Sequence, residues 1–521
     1  MPPRIALLLK PHLPGLSTVL SNVWSGLCLS SVLAVSSILA GCVHSGGIVP
    51  QAKRLENPEL VTDEAIHEAA HEAAWPSDQW WKAYGDPQLD AWVERAVKGS
   101  PSLAMAASRV RKALAMAGID EAALKPQADY SLSIQRKRWP NDHFYGPGVL
   151  SQTNTWNNLT TLNISYDLDL WGGLRSKKDR SLSEARVAAT EERAAALELQ
   201  SAIVRTYVQL ARHFADRDIA EAELEQRKEL LKLANKRFDM GLGNQFEISQ
   251  AEAPIPEAHR QLDIVEEEIA LARNQLAALA GEGPGAGQEI QRPRLSLHVA
   301  APKLPSALPL ELLGRRPDLV ARRWQVAAMA RGIEVSKVEF YPNLNLLANL
   351  GRWSTQGDIL TFIRQDKLTY SLGPALTLPV YDGGYRRGQL SVATADYDLA
   401  VEQYNKTLVD ALKSVSDHLI QLHSLHEQEG FVKHGLETAE RRYKLAQEAY
   451  LRGLTDFRSV LEAETDLFIQ RRLEQQVRAG QLSTQAGLWV ALGGGVLNAD
   501  SGPADEKLEA HKIKLRALYK Y

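Results

Sequence analysis

Few side chains in this chain of 521 residues have the type and spacing that chemistry requires. Its two thiols, Cys28 and Cys42, both fall near the N-terminus, so the body of the chain has neither a disulfide nor thiol chemistry. His418, His423 and His426 lie near one another, but no two of them are four apart, the spacing a helical metal pair uses. His423 and His426 at i,i+3 support adventitious metal contact only, and a solvated helix face is the expectation. Methionine occurs only at 1, 105, 116, 240 and 329, which argues against a soft-metal path. Arg315 and Arg316 precede Pro317-Asp318 and could bind carboxylates, although capping or subunit packing suits that position better. No Walker-type glycine loop is present. The expectation is no catalytic residue, no metal site and no enzyme.

One cysteine does have a chemical setting. Arg4 and Lys10 give a basic start, and Leu27 to Ala40 is a largely apolar run of signal-peptide length, too short to span a bilayer comfortably. It ends at Leu39-Ala40-Gly41-Cys42, which resembles a bacterial lipobox. Small residues at 40 and 41 let a peptidase reach the bond before Cys42, whose thiol takes a diacylglycerol. Cys28 follows bulky Leu27 and does not fit. Residues 1–41 therefore read as a lipoprotein signal peptide and 42–79 as a lipidated linker. The diacylglyceryl and acyl groups on Cys42 are the non-protein groups expected, with no other cofactor. Val43, where Asp would retain a lipoprotein of this kind, favours sorting to the outer membrane.

The remaining elements are architectural. The chain is too long for one ordinary core, its net charge of -3 and lack of a basic block give no sign of nucleic acid, and its composition favours long helices. Gly241-Leu242 and Gly453-Leu454 are 212 positions apart, as are Phe238 and Tyr450, Ile248 and Val460, Ala251 and Ala463, and Gly281 and Gly493. Such self-similarity marks an internal two-fold repeat. The first copy covers 80–290, the second 304–495, and 496–521 is a C-terminal tail. Each copy reads helix, strand, strand, long helix, turn, long helix.

The strands are expected at about 128–138, 159–170, 343–352 and 367–380. Leu162, Ile164, Tyr166, Leu168 and Leu170 alternate with Asn163, Ser165, Asp167 and Asp169, and Leu368, Tyr370, Leu372 and Leu376 with Thr369, Ser371, Gly373 and Thr377. About ten alternating residues suit a tilted membrane strand. Four such strands do not close a barrel, the smallest having about eight, and open edges are costly in lipid. Transmembrane strands here therefore require several chains in one barrel, with loops 136–158 and 353–367 at the outer mouth.

Long helices are expected at about 174–240, 244–280, 385–452 and 456–492. The first has no internal proline or glycine from Leu174 to Met240 and would be a rod of roughly 100 Å. Leu408, Leu412, Val415, Leu419 and Leu422 follow coiled-coil spacing. Glycine ends each outgoing helix, and Asn244 or Asp456 caps the return. Pro254 and Pro256 predict a kink in the first return helix with no counterpart near 466–468.

Taken together, Trp80-Trp81 with Asp86-Pro87-Gln88-Leu89, Arg315-Arg316-Pro317-Asp318, Phe340-Tyr341-Pro342, Tyr381-Asp382-Gly383-Gly384, Gly453-Leu454 with Val460-Leu461-Glu462-Ala463, and Leu492-Gly493-Gly494 resemble the outer-membrane efflux proteins, the TolC/OprM family. The likeness is to the lipoprotein branch that serves resistance-nodulation-division (RND) pumps. It implies a mainly α fold with transmembrane β: a homotrimer with a shared 12-stranded barrel continued by a periplasmic barrel of helices. It implies a periplasmic adaptor and an inner-membrane RND transporter as partners, with the chain a passive outer-membrane duct for small molecules. In the family the inner tip closes through acidic rings. Glu462 matches that position and its repeat-mate is Gln250, so one carboxylate per chain would enter the ring and attract cations. Arg458 could pair with Glu462 at i,i+4, and Asp456 is a further candidate, although capping is its ordinary job. The exit duct of a protein-secretion system and a non-conducting coiled-coil envelope lipoprotein are the alternatives, the lipobox and Arg-Arg-Pro-Asp favouring the pump.

Overall fold

The computed structural model describes residues 45–55, 75–141, 149–297 and 315–495. Cys42, the signal segment 1–41, the linker positions 42–44 and 56–74, and the tail 496–521 lie outside the described residues. The helices are α1 (Pro87–Gly99), α2 (Pro101–Ala122), α3 (Gly173–Asp239), α4 (Gln245–Glu252), α5 (Ile255–Leu279), α6 (Pro317–Val338), α7 (Tyr385–Leu451) and α8 (Phe457–Ala491). The strands are β1 (Gln127–Arg138), β2 (Asn154–Asp167), β3 (Asn343–Ser354) and β4 (Leu368–Thr377). The chain divides into two compact units, one comprising 1–51, 119–179 and 329–397, the other 52–118, 180–328 and 398–521.

The first unit holds an antiparallel sheet of order β1-β2-β3-β4, in which β2 of the first copy pairs with β3 of the second. The register sorts residues by face. Tyr130, Leu162, Leu350 and Tyr370 form one cross-strand row, and Ala128, Ile164, Ala348 and Leu372 the row beside it on the same face. Tyr370 and Leu372 are 78% and 82% exposed, so among the described residues nothing covers them on this apolar face. The opposite face carries Asp129, Asn163, Asn349 and Ser371, with Asn349 Nδ2 donating to Ser371 Oγ at 3.0 Å and the Ser131 and Thr161 hydroxyls 2.7 Å apart. Gly351 lets β2 and β3 close up, since a Cβ there would stand 2.3 Å from the Thr160 carbonyl oxygen. Among the described residues nothing pairs with the outer edges of β1 and β4.

The bounds of β2, β3 and β4 differ from those expected. β2 occupies Asn154–Asp167 rather than 159–170. It begins early because Asn154 pairs with Arg138, and it ends early because Asp167 Oδ1 accepts from Asp169 N at 2.8 Å and Asp169 turns to φ 42°. β3 runs on to Ser354 rather than stopping at 352, because Ser354 still pairs with Asn158. β4 is Leu368–Thr377 rather than 367–380: Lys367 belongs to a 3-10 turn, and Pro379 has no N–H to continue a ladder. The connections are consequently 139–153 and 355–367, shorter than the expected 136–158 and 353–367, and 142–148 lie outside the described residues.

At the strand–helix junctions a carboxylate caps the long helix in each copy. Asp169 accepts from the amides of Leu174 (2.8 Å) and Arg175 (3.1 Å), and Asp382 from those of Gly384 (3.0 Å) and Arg386 (3.2 Å). Arg175 and Arg386 each return a side-chain bond to their capping Asp. Beside the first junction Trp171 stacks on Tyr341 at 4.9 Å and donates to the Pro342 carbonyl.

The second unit is helical. The single helix expected to open the first copy is two, α1 and α2, because Pro101 holds Ser100 extended at ψ 123°. The core packs Trp80, Tyr84, Leu89 and Trp92 against Tyr207, Leu210 and Phe214 of α3 and Ile269 and Leu276 of α5. Asp86 anchors this region: it caps α1 through Gln88 N, and also accepts from the Tyr207 hydroxyl at 2.8 Å and the Arg294 amide at 2.7 Å. Arg316 has the structural role: it grips Asp318 through two bonds and donates to the Ala491 carbonyl at the end of α8. The first return helix, expected as one element over 244–280, is two. Ala253 and Pro254 fall between α4 and α5, whereas α8 runs uninterrupted over 35 residues. Proline lacks the N–H that would close the ladder. No described helix is long and apolar enough to cross a membrane.

Candidate functional site

The two helix turns have the same local cause. At the first, Gly241 (φ 69°) donates to the Phe238 carbonyl and Leu242 to Arg237; at the second, Gly453 (φ 73°) donates to Tyr450 and Leu454 to Ala449. This is a left-handed glycine closure in which the last carbonyls of the outgoing helix are satisfied. Asn244 then accepts from Glu247 N, and Asp456 from both the amide (3.0 Å) and hydroxyl (2.7 Å) of Ser459. Those Ser459 bonds hold the Asp456 carboxyl below its ordinary range, as expected of a cap.

Arg458 Nε donates to Glu462 Oε1 at 2.8 Å, one turn along α8, and both side chains are exposed. An exposed pair of this kind contributes little to stability. Asp456, Arg458 and Glu462 thus lie within the first two turns of one helix, Asp456 occupied by its cap and Glu462 by its arginine.

The structure adds a contact between the two turns that sequence reasoning missed. The Arg237 guanidinium stacks on the Tyr450 ring at 4.5 Å, and the Tyr450 hydroxyl donates to Glu247 Oε2 at 3.2 Å. Burial, and then the Glu247 charge, push the Tyr450 hydroxyl up from its ordinary value. Tyr450 is 2% exposed and packs with Phe457 and Val460 of α8 and with Leu230, Ala234 and Ala251 of the first copy. Its position one turn before Gly453 was the available signal. A groove of about 730 Å³ runs nearby between α3 and α7, its lining including Leu230, Leu233, Tyr443 and Leu451 with Glu225, Glu229, Lys232 and Lys236.

Sequence reasoning also passed over a buried ionic cluster. Glu223 and Arg227 of α3 meet Glu464 and Arg472 of α8, and Glu464 is 1% exposed. Burial, opposed by Arg227 and reinforced by Glu223, pushes the Glu464 carboxyl up to about 7.

Residues 92–282 and 308–494 each match the family described as "Outer membrane efflux protein", one match in each repeat copy. The chain is 48% identical over 375 residues to the fusaric acid resistance protein FusA of Burkholderia cepacia, covering 72% of this chain and 71% of that protein. It is 30% identical over 419 residues to the pyoverdine export outer membrane protein OpmQ of Pseudomonas aeruginosa, covering 80% and 87%. Among solved structures, the outer membrane protein VceC of Vibrio cholerae superposes with a TM-score of 0.75 at 31% identity, covering 81% of this chain and all of VceC. A match in both halves, on a fold shared along the whole of VceC, leaves one assignment: the chain belongs to the outer membrane efflux protein family and is an outer-membrane efflux channel.

Proposed function

We propose that three copies of the chain give β1–β4 to one 12-stranded barrel across the outer membrane, continued by a periplasmic barrel of helices. A periplasmic adaptor and an inner-membrane RND transporter load this duct, which passes small molecules outward without an energy source of its own. The observation that carries the reading is the sheet: one face is apolar and uncovered, and both edge strands lack partners among the described residues. Four strands are too few to close, and unpaired edges are not tolerated in hydrocarbon, so a closed ring of three sheets satisfies both. FusA is named for resistance to fusaric acid and OpmQ for export of pyoverdine, which supports a small-molecule cargo.

At the periplasmic end, three copies of Glu462 would face one another as a cation-attracting ring, moderated by Arg458, with Asp456 holding each turn in shape. Purified full-length protein in planar bilayers is expected to conduct as a trimer, with Glu462→Ala lowering cation selectivity. A trimer that does not conduct would return the chain to a tether, and unchanged selectivity in the variant would remove Glu462 from the gate.

Cys42 is the proposed attachment point of the lipid. Cys42→Ala should abolish incorporation of labelled palmitate while leaving the barrel in the outer membrane. A label that survives the substitution would place the lipid elsewhere.

A further inference from the structure

Glu223 is satisfied from two sides: Arg227 donates to one of its oxygens and Arg472 to the other. Glu464 is not. Its Oε1 has no hydrogen-bond partner, and its Oε2 lies 4.0 Å from Arg227 Nε, which itself has no hydrogen bond. The other arm of the same guanidinium, Nη1, donates at 2.8 Å to the Pro254 carbonyl. Pro254 is the break between α4 and α5, and its carbonyl also receives the Ala258 amide at 3.1 Å as α5 begins. One arginine of α3 therefore holds the broken helix while a second carboxylate waits just beyond its reach. An ionised carboxylate so deeply buried without a hydrogen bond is a costly arrangement, whereas a protonated one suits this geometry.

We propose that Glu464, Arg227 and the Pro254 carbonyl form a proton-operated clasp. With Glu464 protonated, Arg227 holds the start of α5 to α3. When Glu464 gives its proton to solvent, the new charge draws the guanidinium across, and the Pro254 carbonyl is released.

The groups facing this centre come from four helices. α3 contributes Glu223 and Arg227, and α8 contributes Arg472. α7 contributes Tyr443, whose hydroxyl is pushed up chiefly by burial and also by Glu464. α5 contributes Glu257, which senses Arg227 but is hydrogen-bonded by Arg260 and Gln261. Guanidinium groups do not titrate near neutrality. Tyr443 is displaced further from neutrality and Glu257 is pulled down to about 2, while burial brings Glu464 up to about 7. The sign follows. A raised carboxyl pKa means the folded state keeps a proton that the unfolded chain releases, so the clasp's contribution is complete below the ordinary glutamate range and is lost as pH rises through about 7. The second copy has Ala439 at the repeat-mate of Arg227 and an unbroken α8, so the device belongs to the first return helix alone.

The clasp's effect on conduction rests on the channel reading above, but hydrogen exchange of the full-length protein in detergent tests it whether or not the protein conducts. After correction for intrinsic rates, amides in 255–261 should lose about tenfold in protection between about pH 6 and about pH 8, while 466–468 of α8 stay unchanged. Glu464→Gln should stay protected throughout, and Glu464→Asp should keep a step at a shifted midpoint. A flat wild-type profile overturns the proposal, as does a step that Glu464→Gln leaves in place. Should Glu464→Gln fail to assemble, a Glu464→Asp step at the wild-type midpoint overturns it equally.

Discussion

Arg227→Leu is expected to destabilise the protein by about 3–5 kcal/mol, the cost of removing one partner from a buried ionic cluster. The site explains the size. The Arg227 side chain is 10% exposed, stands between Glu223 and Glu464, and is the side-chain donor to Pro254 O. Leucine fills part of the volume but leaves Glu223 with Arg472 alone and Glu464 with no cation in reach. The Pro254 carbonyl, at the one break in the return helix, loses a charged donor as well. The measurement is the midpoint of thermal unfolding, together with proteolysis of the 245–258 segment. Adding Glu464→Gln should recover at least about 1 kcal/mol at a pH well above 7, where Glu464 would otherwise be forced to ionise beside no cation, because adjacent sites couple. Simple additivity of the two substitutions would mean that Arg227 and Glu464 do not interact.

Leu372→Arg should prevent assembly in the outer membrane. Leu372 is central in β4, 82% exposed, in a row with Ala348, Ile164 and Ala128 on the apolar face. An arginine on the lipid side of a membrane strand costs about 2–4 kcal/mol near the midplane, and the proposed trimer carries three. Ser371→Arg, one residue earlier, provides the comparison, because its side chain falls on the polar face beside Asn349. It is expected to assemble and to alter selectivity. The readout is the amount of trimer in outer-membrane fractions, and equal loss in both variants would refute the assignment of faces.

The Ser371 and Leu372 contrast was legible in the chain, since alternation with a period of two assigns faces without reference to any partner. The turns were legible for a similar reason: Gly241 and Gly453 act through the backbone of the residues just before them. Boundaries were less legible. β2 runs back to Asn154 because β1 offers it Arg138, and β3 runs on to Ser354 because β2 offers Asn158. Those extensions depend on a neighbouring strand, which a local pattern does not contain. The Tyr450–Glu247 contact is likewise between residues about 200 apart, at turns that look alike but are not equivalent.

By itself the sequence determined the repeat, the helix reversals, the facial alternation of the strands and the proline break, all of which follow from covalent geometry or periodicity over a few residues. Only the tertiary structure decided that β2 joins β3 across the two copies, that Arg316 serves as a brace and that Arg227 reaches Pro254. Glu462 and Glu464 show why. They are the same residue type two positions apart, and a helix of 3.6 residues per turn sets them about 200° apart, on nearly opposite faces. Periodicity requires that they differ but does not say which face is covered. The packing of α3 and α7 on α8 settles it, leaving Glu462 in solvent with Arg458 and placing Glu464 in the interior beside Arg227.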